Sequence, residues 1–179
     1  MTKRIFDIIF SFIILLLMLP ILCVVSVLVI YNLGFPILYK ATRVGKDNKK
    51  FKIYKFRTMD ISEHIPKNNT MNLLRKTNLD ELPQFLNVLL GHMSVVGPRP
   101  HDLNEDILFE NKIKNYHLRK KVLPGITGLS AIKGNRGGND IEFISKRVEY
   151  DLQYINNKSF SFDLFIILKT IITIFKPNH

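Results

Sequence analysis

The densest cluster of chemically capable side chains is Arg75-Lys76-Thr77-Asn78-Leu79-Asp80-Glu81-Leu82-Pro83-Gln84, where two adjacent carboxylates follow two cations. A plain structural reading competes with a catalytic one. Asn78-x-x-Glu81 has the spacing of a capping box, and acids in a first helical turn complement the helix dipole. The next segment, Gly91-His92-Met93-Ser94-Val95-Val96-Gly97-Pro98-Arg99-Pro100, sets an arginine between two prolines. Proline fixes φ and restricts the residue before it, so Arg99 sits on an extended, stiff backbone. A guanidinium held that way is a planar fork for phosphate oxygens, although a turn with a solvated arginine would look the same. Two further segments, Lys121-Val122-Leu123-Pro124-Gly125-Ile126-Thr127-Gly128-Leu129 and Tyr150-Asp151-Leu152-Gln153-Tyr154-Ile155, are weak signals alone.

The balance of charge agrees with a phosphate-bearing partner. The chain has 179 residues and a net charge of +11, with a pI near 9.8. That charge calls for nucleic acid, anionic lipid or a phosphorylated substrate. The length suits one domain, or one domain with a membrane segment. A single cysteine, Cys23, excludes an internal disulfide framework and a cysteine zinc site. There is no tryptophan, repeat or low-complexity tract.

The apolar content is concentrated at the start. No charged side chain occurs from Ile8 to Tyr31, and about 20 apolar helical residues suffice to cross a bilayer core. The sequence after it, Tyr31-Asn32-Leu33-Gly34-Phe35-Pro36, is a poor signal-peptidase site. Pro20 falls near the middle of the run, where it must break or kink a helix. Lys3 and Arg4 precede the run, and Lys40, Arg43, Lys46, Lys49, Lys50, Lys52, Lys55 and Arg57 follow it. Basic residues collect on the cytoplasmic side. Basic flanks at both ends therefore favour a re-entrant helix–break–helix over a span. The boundary is placed after Gly34: residues 1–34 form the membrane hairpin and residues 35–179 a cytosolic domain.

Within that domain, residues 37–59 read as a short β-hairpin with a basic face, turning at Val44-Gly45-Lys46-Asp47-Asn48. Residues 60–72 read as a loop, 79–90 as a helix closed by Gly91, 102–121 as a helix growing basic toward its end, 134–140 as a flexible glycine-rich stretch, and 141–156 as a helix. Residues 160–175 are apolar but interrupted, fitting either a helix in the membrane interface or an ordinary core helix. The fold class expected is α+β, mainly helical.

Together these segments resemble the bacterial sugar transferase family, the monotopic polyprenol-phosphate phosphoglycosyl transferases. The likeness begins with Lys3-Arg4-Ile5-Phe6-Asp7 and continues through Lys52-Ile53-Tyr54-Lys55-Phe56-Arg57-Thr58-Met59. It is strongest in Leu79-Asp80-Glu81-Leu82-Pro83-Gln84-Phe85-Leu86-Asn87-Val88-Leu89 and Met93-Ser94-Val95-Val96-Gly97-Pro98-Arg99-Pro100. It ends with Pro124-Gly125-Ile126-Thr127-Gly128 and Ser161-Phe162-Asp163-Leu164. These matches, in the family's order, outweigh the capping-box reading of the acidic pair.

The resemblance implies a mechanism. Asp80 matches the nucleophile that attacks the sugar-bearing phosphorus of a UDP-sugar. UMP leaves, and a polyprenyl phosphate then takes the phosphosugar from the aspartate. Splitting the transfer makes two easier steps. Glu81 is implied to hold Mg²⁺. Lys55, Arg57, Arg75 and Arg99 are implied to supply fixed positive charge to the phosphates, and Asp151 matches a further acidic position. The family also implies a re-entrant helix broken at proline, here Pro20, with the chemistry on the cytoplasmic face of the bacterial inner membrane. Membrane lipids are implied partners, with downstream glycosyltransferases and a homodimer as candidate protein partners. Surface polysaccharide or glycoconjugate assembly is the implied setting. This chain departs from the family pattern at Leu19, where a serine usually precedes the proline, and at His92, where an aspartate is usual. It departs again at Ser130-Ala131-Ile132 and at Gln153, in regions that bear on donor choice.

Two other classes fit parts of the sequence. A membrane-tethered nucleic-acid-binding protein would use the charge and the interleaved Phe51, Tyr54 and Phe56, but leaves Asp80-Glu81 and Pro98-Arg99-Pro100 unexplained. A catalytically inactive scaffold of the same family would share the motifs without the chemistry. Binding of single-stranded DNA separates the first from an enzyme, and UMP release separates the second.

Overall fold

The computed structural model describes residues 2–60, 65–135, 138 and 140–174. Two apolar helices, α1 (Thr2–Leu17) and α2 (Leu19–Leu33), meet at Met18 with a bend of 63°. The break falls two residues before Pro20, which occupies the first turn of α2. Proline is tolerated there, and the disruption it causes is felt one turn back, where its missing N–H and its ring act on the preceding carbonyl. Among the described residues no single helix is long and apolar enough to cross a membrane; the pair passes that test only jointly.

The hairpin forms as expected, with β1 (Leu38–Val44) antiparallel to β2 (Lys50–Phe56) and Leu38 facing Phe56. Residues 61–64 of the expected loop lie outside the described residues, and its last part is helical. Helix α3 (Asn69–Lys76) starts early because the Asn68 side chain accepts a bond from Met71 N, a helix cap where the asparagine pair reads as a turn. Its Met71 and Leu74 pack with Phe56, Val25 and Val29, tying α2 to the hairpin.

The helix expected over 79–90 is divided. A 3₁₀ turn (Leu79–Glu81) precedes α4 (Gln84–Leu89), with Pro83 between them. Asn78 takes a left-handed conformation and makes no side-chain cap, so the anticipated capping box is absent. A capping box does form at Asp102–Glu105, opening α5 (Leu103–Lys112). The helix expected over 102–121 stops there. Left-handed Asn115 turns the chain into a 3₁₀ segment (Tyr116–Lys121) that buries Tyr116, Arg119 and Lys120.

A second sheet has no counterpart in the expectations. Strands β3 (Ser94–Val96) and β4 (Gly125–Thr127) pair in parallel. A Cβ on Gly125 would lie 2.1 Å from Gly97 N, and one on Gly128 would lie 2.5 Å from Gly97 O. Only glycine permits so close a crossing, which is the physical content of Val96-Gly97-Pro98 and Pro124-Gly125-Ile126-Thr127-Gly128. A short α6 (Leu129–Ile132) leads to α7 (Ile141–Asn157) and α8 (Phe160–Ile174). The main core joins Phe51 and Ile53 of the hairpin with Val88, Met93, Val95, Val96, Leu129, Tyr154, Ile166 and Ile167. The result is α+β and mainly helical.

Candidate active site

Three elements converge on the acidic pair. Lys55 comes from the end of β2, Asp80 and Glu81 from the 3₁₀ turn, and Arg99 from the segment after β3. The free edge of β2 would leave backbone groups unpaired. Asn87 covers it: its Oδ1 accepts from Tyr54 N at 2.9 Å, and its Nδ2 donates to Lys52 O at 2.7 Å. This fully buried amide acts as a one-residue strand and fixes where Lys55 emerges.

Lys55 Nζ donates to Glu81 Oε1 at 2.6 Å. Arg99 donates to the same oxygen at 2.8 Å and to Oε2 at 3.3 Å, a fork on one carboxylate. Burial pushes the Glu81 carboxyl up, but Arg99 and Lys55 outweigh it and hold the group well below the usual carboxylate range. Asp80 is in the opposite state. It is 7% exposed, and burial together with the Glu81 charge pushes its carboxyl up to about 6, against the pull of Lys55 and Arg75. One carboxylate is thus locked ionised and the next is buried and unusually basic.

The structure does not bring every expected residue to this pair. Arg57 turns its guanidinium onto the carbonyls of Leu33 and Gly34, closing the C-terminal end of α2. Asp151 is buried in α7, with Oδ2 taken by Arg119 Nε at 3.0 Å and Nη2 at 2.7 Å. Arg75, at the end of α3, reaches Asp80 by charge alone. Clefts of about 370 Å³ flank the hairpin's turn, lined by Lys46, Lys49, Lys50 and His92 on one side and by Lys50, Asp106, Glu110 and Lys120 on the other. Both lie at the far end of β2 from Lys55.

Other functional contacts were not assigned from sequence. Arg4 donates to Val88 O at 2.7 Å and Leu89 O at 3.0 Å, closing the end of α4. Asp7 accepts from Ser94 Oγ at 2.8 Å and Val95 N at 3.2 Å, while Lys3 meets Asp163 at 2.6 Å. Lys3-Arg4-Ile5-Phe6-Asp7 and Ser161-Phe162-Asp163 are therefore docking points of α1. A usable signal did exist in α7, where Arg147 and Asp151 share the helix face of Ile144, Val148 and Tyr154. Charges on an apolar face announce buried polar partners, and for Asp151 that partner is Arg119 of the 3₁₀ segment.

Among the described residues no group of three or more His, Cys, Asp or Glu side chains could hold an ion. Mg²⁺ keeps several waters and takes one or two carboxylates plus substrate phosphates. An ionised Glu81 beside Asp80 fits that pattern and does not fit an all-protein cage.

A buried basic carboxylate beside an ionised one that Lys55 and Arg99 clamp can serve displacement at phosphorus. Comparison with known proteins gives the family. The bacterial sugar transferase family model matches residues 1–177, and the chain belongs to that family. It is 43% identical over 94% of its length to the UDP-glucose:undecaprenyl-phosphate glucose-1-phosphate transferase of Escherichia coli, and covers 39% of that protein. It is 46% identical to the protein of the same name from Klebsiella pneumoniae, again covering 39% of it. The chain thus spans about two fifths of those relatives. It is also 41% identical to the exopolysaccharide production protein PSS of Rhizobium leguminosarum bv. phaseoli, of which it covers 94%.

Proposed function

We propose that this chain is a phosphoglycosyl transferase that moves a sugar 1-phosphate from a UDP-sugar to a polyprenyl phosphate at a membrane surface. The observation that carries the reading is the split state of the acidic pair, Asp80 raised to about 6 and Glu81 held ionised by Lys55 and Arg99.

An Asp80 carboxylate oxygen attacks the sugar-bearing phosphorus. The bond from that phosphorus to the bridging oxygen breaks, and UMP departs with the electron pair. A phosphosugar–aspartyl acyl phosphate remains. A phosphate oxygen of the polyprenyl phosphate then attacks the same phosphorus, giving the polyprenyl-diphospho-sugar and restoring the Asp80 carboxylate. No proton need move in either step. A carboxyl raised to about 6 is still mostly ionised at neutral pH and is a better nucleophile than an ordinary aspartate. Arg99, Lys55 and Arg75 hold positive charge in place where phosphate charge develops. Glu81 would hold Mg²⁺, which when bound neutralises diphosphate charge.

The N-terminal pair suits a re-entrant hairpin on the cytoplasmic face. Its outer ends are fixed to one body, through Lys3, Arg4 and Asp7 at the start and through Val25, Val29 and the Arg57 contacts at the finish. The bend exposes Phe12, Ile13, Leu16, Leu17, Leu19 and Val24, an apolar tip that lipid would cover. Helix α8 adds exposed Phe165, Leu168 and Ile172, and lies against α1 through the Phe6–Phe160 contact at 5.1 Å. That arrangement fits an interfacial helix. A lipid phosphate could then meet a soluble donor at headgroup depth.

The test is a panel of UDP-sugars incubated with detergent-purified protein, polyprenyl phosphate and Mg²⁺, scored for UMP. Release with at least one donor, lost in excess chelator, is expected. No release with any donor contradicts the activity, and full release in chelator contradicts the part given to Glu81. Cysteines placed at Thr2 and Asn48 should label from one side of a sealed vesicle; labelling from opposite sides contradicts the hairpin.

A further inference from the structure

Resting on the transferase reading, we propose that Arg119 is a positioning residue: held by Asp151, it grips the backbone carbonyl of Arg99 and so aims the Arg99 guanidinium at Glu81. The path has no gap. Asp151 Oδ2 accepts from Arg119 Nε at 3.0 Å and Nη2 at 2.7 Å. Arg119 Nη2 also donates to Arg99 O at 2.8 Å. Arg99 then forks onto Glu81 at 2.8 and 3.3 Å. Four residues from four elements form one line from the middle of α7 to the acidic pair.

The two prolines explain why such a grip is needed. Pro98 and Pro100 have no N–H, so the segment cannot be pinned through those donors. It is pinned through its carbonyls instead. Pro98 O accepts from Gly125 N at 2.9 Å, His101 O from Val44 N at 3.3 Å, and Arg99 O from Arg119. Of the three, only the bond at Arg99 comes from a side chain, and it acts on the residue that touches Glu81.

The surroundings leave Arg119 little freedom to move. Arg119 and Asp151 are 5% and 1% exposed. Arg119 Nη1 donates to Tyr116 Oη at 3.1 Å. His101 packs beside it, with Nδ1 2.9 Å from Arg119 Nη1 and 2.6 Å from Tyr116 Oη and with Nε2 3.2 Å from Arg147 Nη1, while Tyr116 Oη donates to Asp106 at 2.9 Å. Burial, with Arg119 and Arg147 nearby, keeps His101 neutral, so it adds no third positive charge. Lysine could not replace Arg119, because one ammonium cannot span Asp151, Tyr116 and the Arg99 carbonyl in the plane of a guanidinium.

A merely structural ion pair and a positioning one differ in a double-mutant cycle. Misplacement of a reacting group by about 1 Å can cost about 100-fold in rate. Asp151→Asn and Arg119→Lys are each expected to slow UMP release by about that factor when Arg99 is present. Placed on Arg99→Ala, either change should cost less than about 3-fold more, because the clamp it aims is already gone. Equal losses in both backgrounds, with the variants folded, would overturn the proposal. Hydrogen exchange supplies an arm independent of activity. The amides of Gly125 and Val44, which donate to Pro98 O and His101 O, should exchange faster in Asp151→Asn and in Arg119→Lys, with α8 unchanged, and unaltered exchange at those amides also overturns it. If wild-type protein released UMP from no donor, the transferase reading would fall while the exchange arm still decided whether Arg119 holds this segment.

Discussion

Asp80 and Asp151 are both buried aspartates, and burial pushes both carboxyls up. Their neighbours make them different instruments. Asp151 receives two bonds from Arg119 and a longer one from Ser130 Oγ at 3.4 Å. Asp80 receives no side-chain hydrogen bond among the described residues; its cations, Lys55 and Arg75, act through space, and Lys55 spends its short contact on Glu81. A buried carboxylate with its lone pairs occupied is a strut. A buried carboxylate that no side chain holds is a nucleophile kept at the edge of protonation. The second condition costs stability, which is acceptable only where the group works.

The sharpest way to break this contrast is to neutralise Asp80. Asp80→Asn should lower UMP release by at least about 1,000-fold, as loss of a covalent nucleophile does. The same change should raise stability at pH 7 by about 1–3 kcal/mol, since a carboxyl raised from 3.8 to about 6 opposes folding when ionised. A thermal or denaturant midpoint that drops in Asp80→Asn would contradict the reading. Asp151→Asn should do the reverse and destabilise, by leaving Arg119 buried with a weaker partner.

Next in size is Glu81→Gln. Losing the ionised oxygen that Lys55 and Arg99 share should cost about 100-fold in rate and lower stability by about 1–3 kcal/mol, read as a lower unfolding midpoint. An unchanged midpoint would mean that the clamp contributes nothing to the fold.

The smallest effect is in pH. The rate of UMP release should fall as pH drops through about 6, about tenfold per unit below it, because a protonated Asp80 cannot attack. Stability should respond to the same proton with the opposite sign. Between 3.8 and about 6 the folded state binds the proton more tightly than the unfolded state. The Asp80 penalty is therefore complete above about 6 and relieved as pH falls toward 3.8. Asp80→Asn should lack that component of the pH–stability curve, and a variant curve parallel to the wild type would count against the raised carboxyl.

Much of this arrangement was legible in the residues. The acidic pair, Lys55 and Arg99 converge as their motifs implied, the hairpin keeps its turn, and the break in the apolar leader follows from Pro20. Other parts were hidden for identifiable reasons. Asn68-Asn69 reads as a turn because asparagine serves turns and N-caps alike, and burial of Met71 and Leu74 decides between them. The capping-box spacing at Asn78 fails because Pro83 separates the turn from the helix, while the true box at Asp102 is set by a start that the longer expected helix obscured. The β3–β4 pair has strands of three residues, too short for alternation to register, and is held by glycines whose need appears only when two chains cross. Arg57 sits within a motif that implies phosphate, but its contacts are helix-end carbonyls brought near by the return of α2.

The most direct measurement is to trap the aspartyl acyl phosphate itself. Wild-type protein given a reactive UDP-sugar labelled in its sugar-bearing phosphate, with no polyprenyl phosphate, should release one UMP per chain and retain the label on the peptide that contains Asp80; adding the lipid phosphate should discharge it. A burst of UMP with no label on the protein, label on another residue, or undiminished labelling in Asp80→Asn would contradict the account.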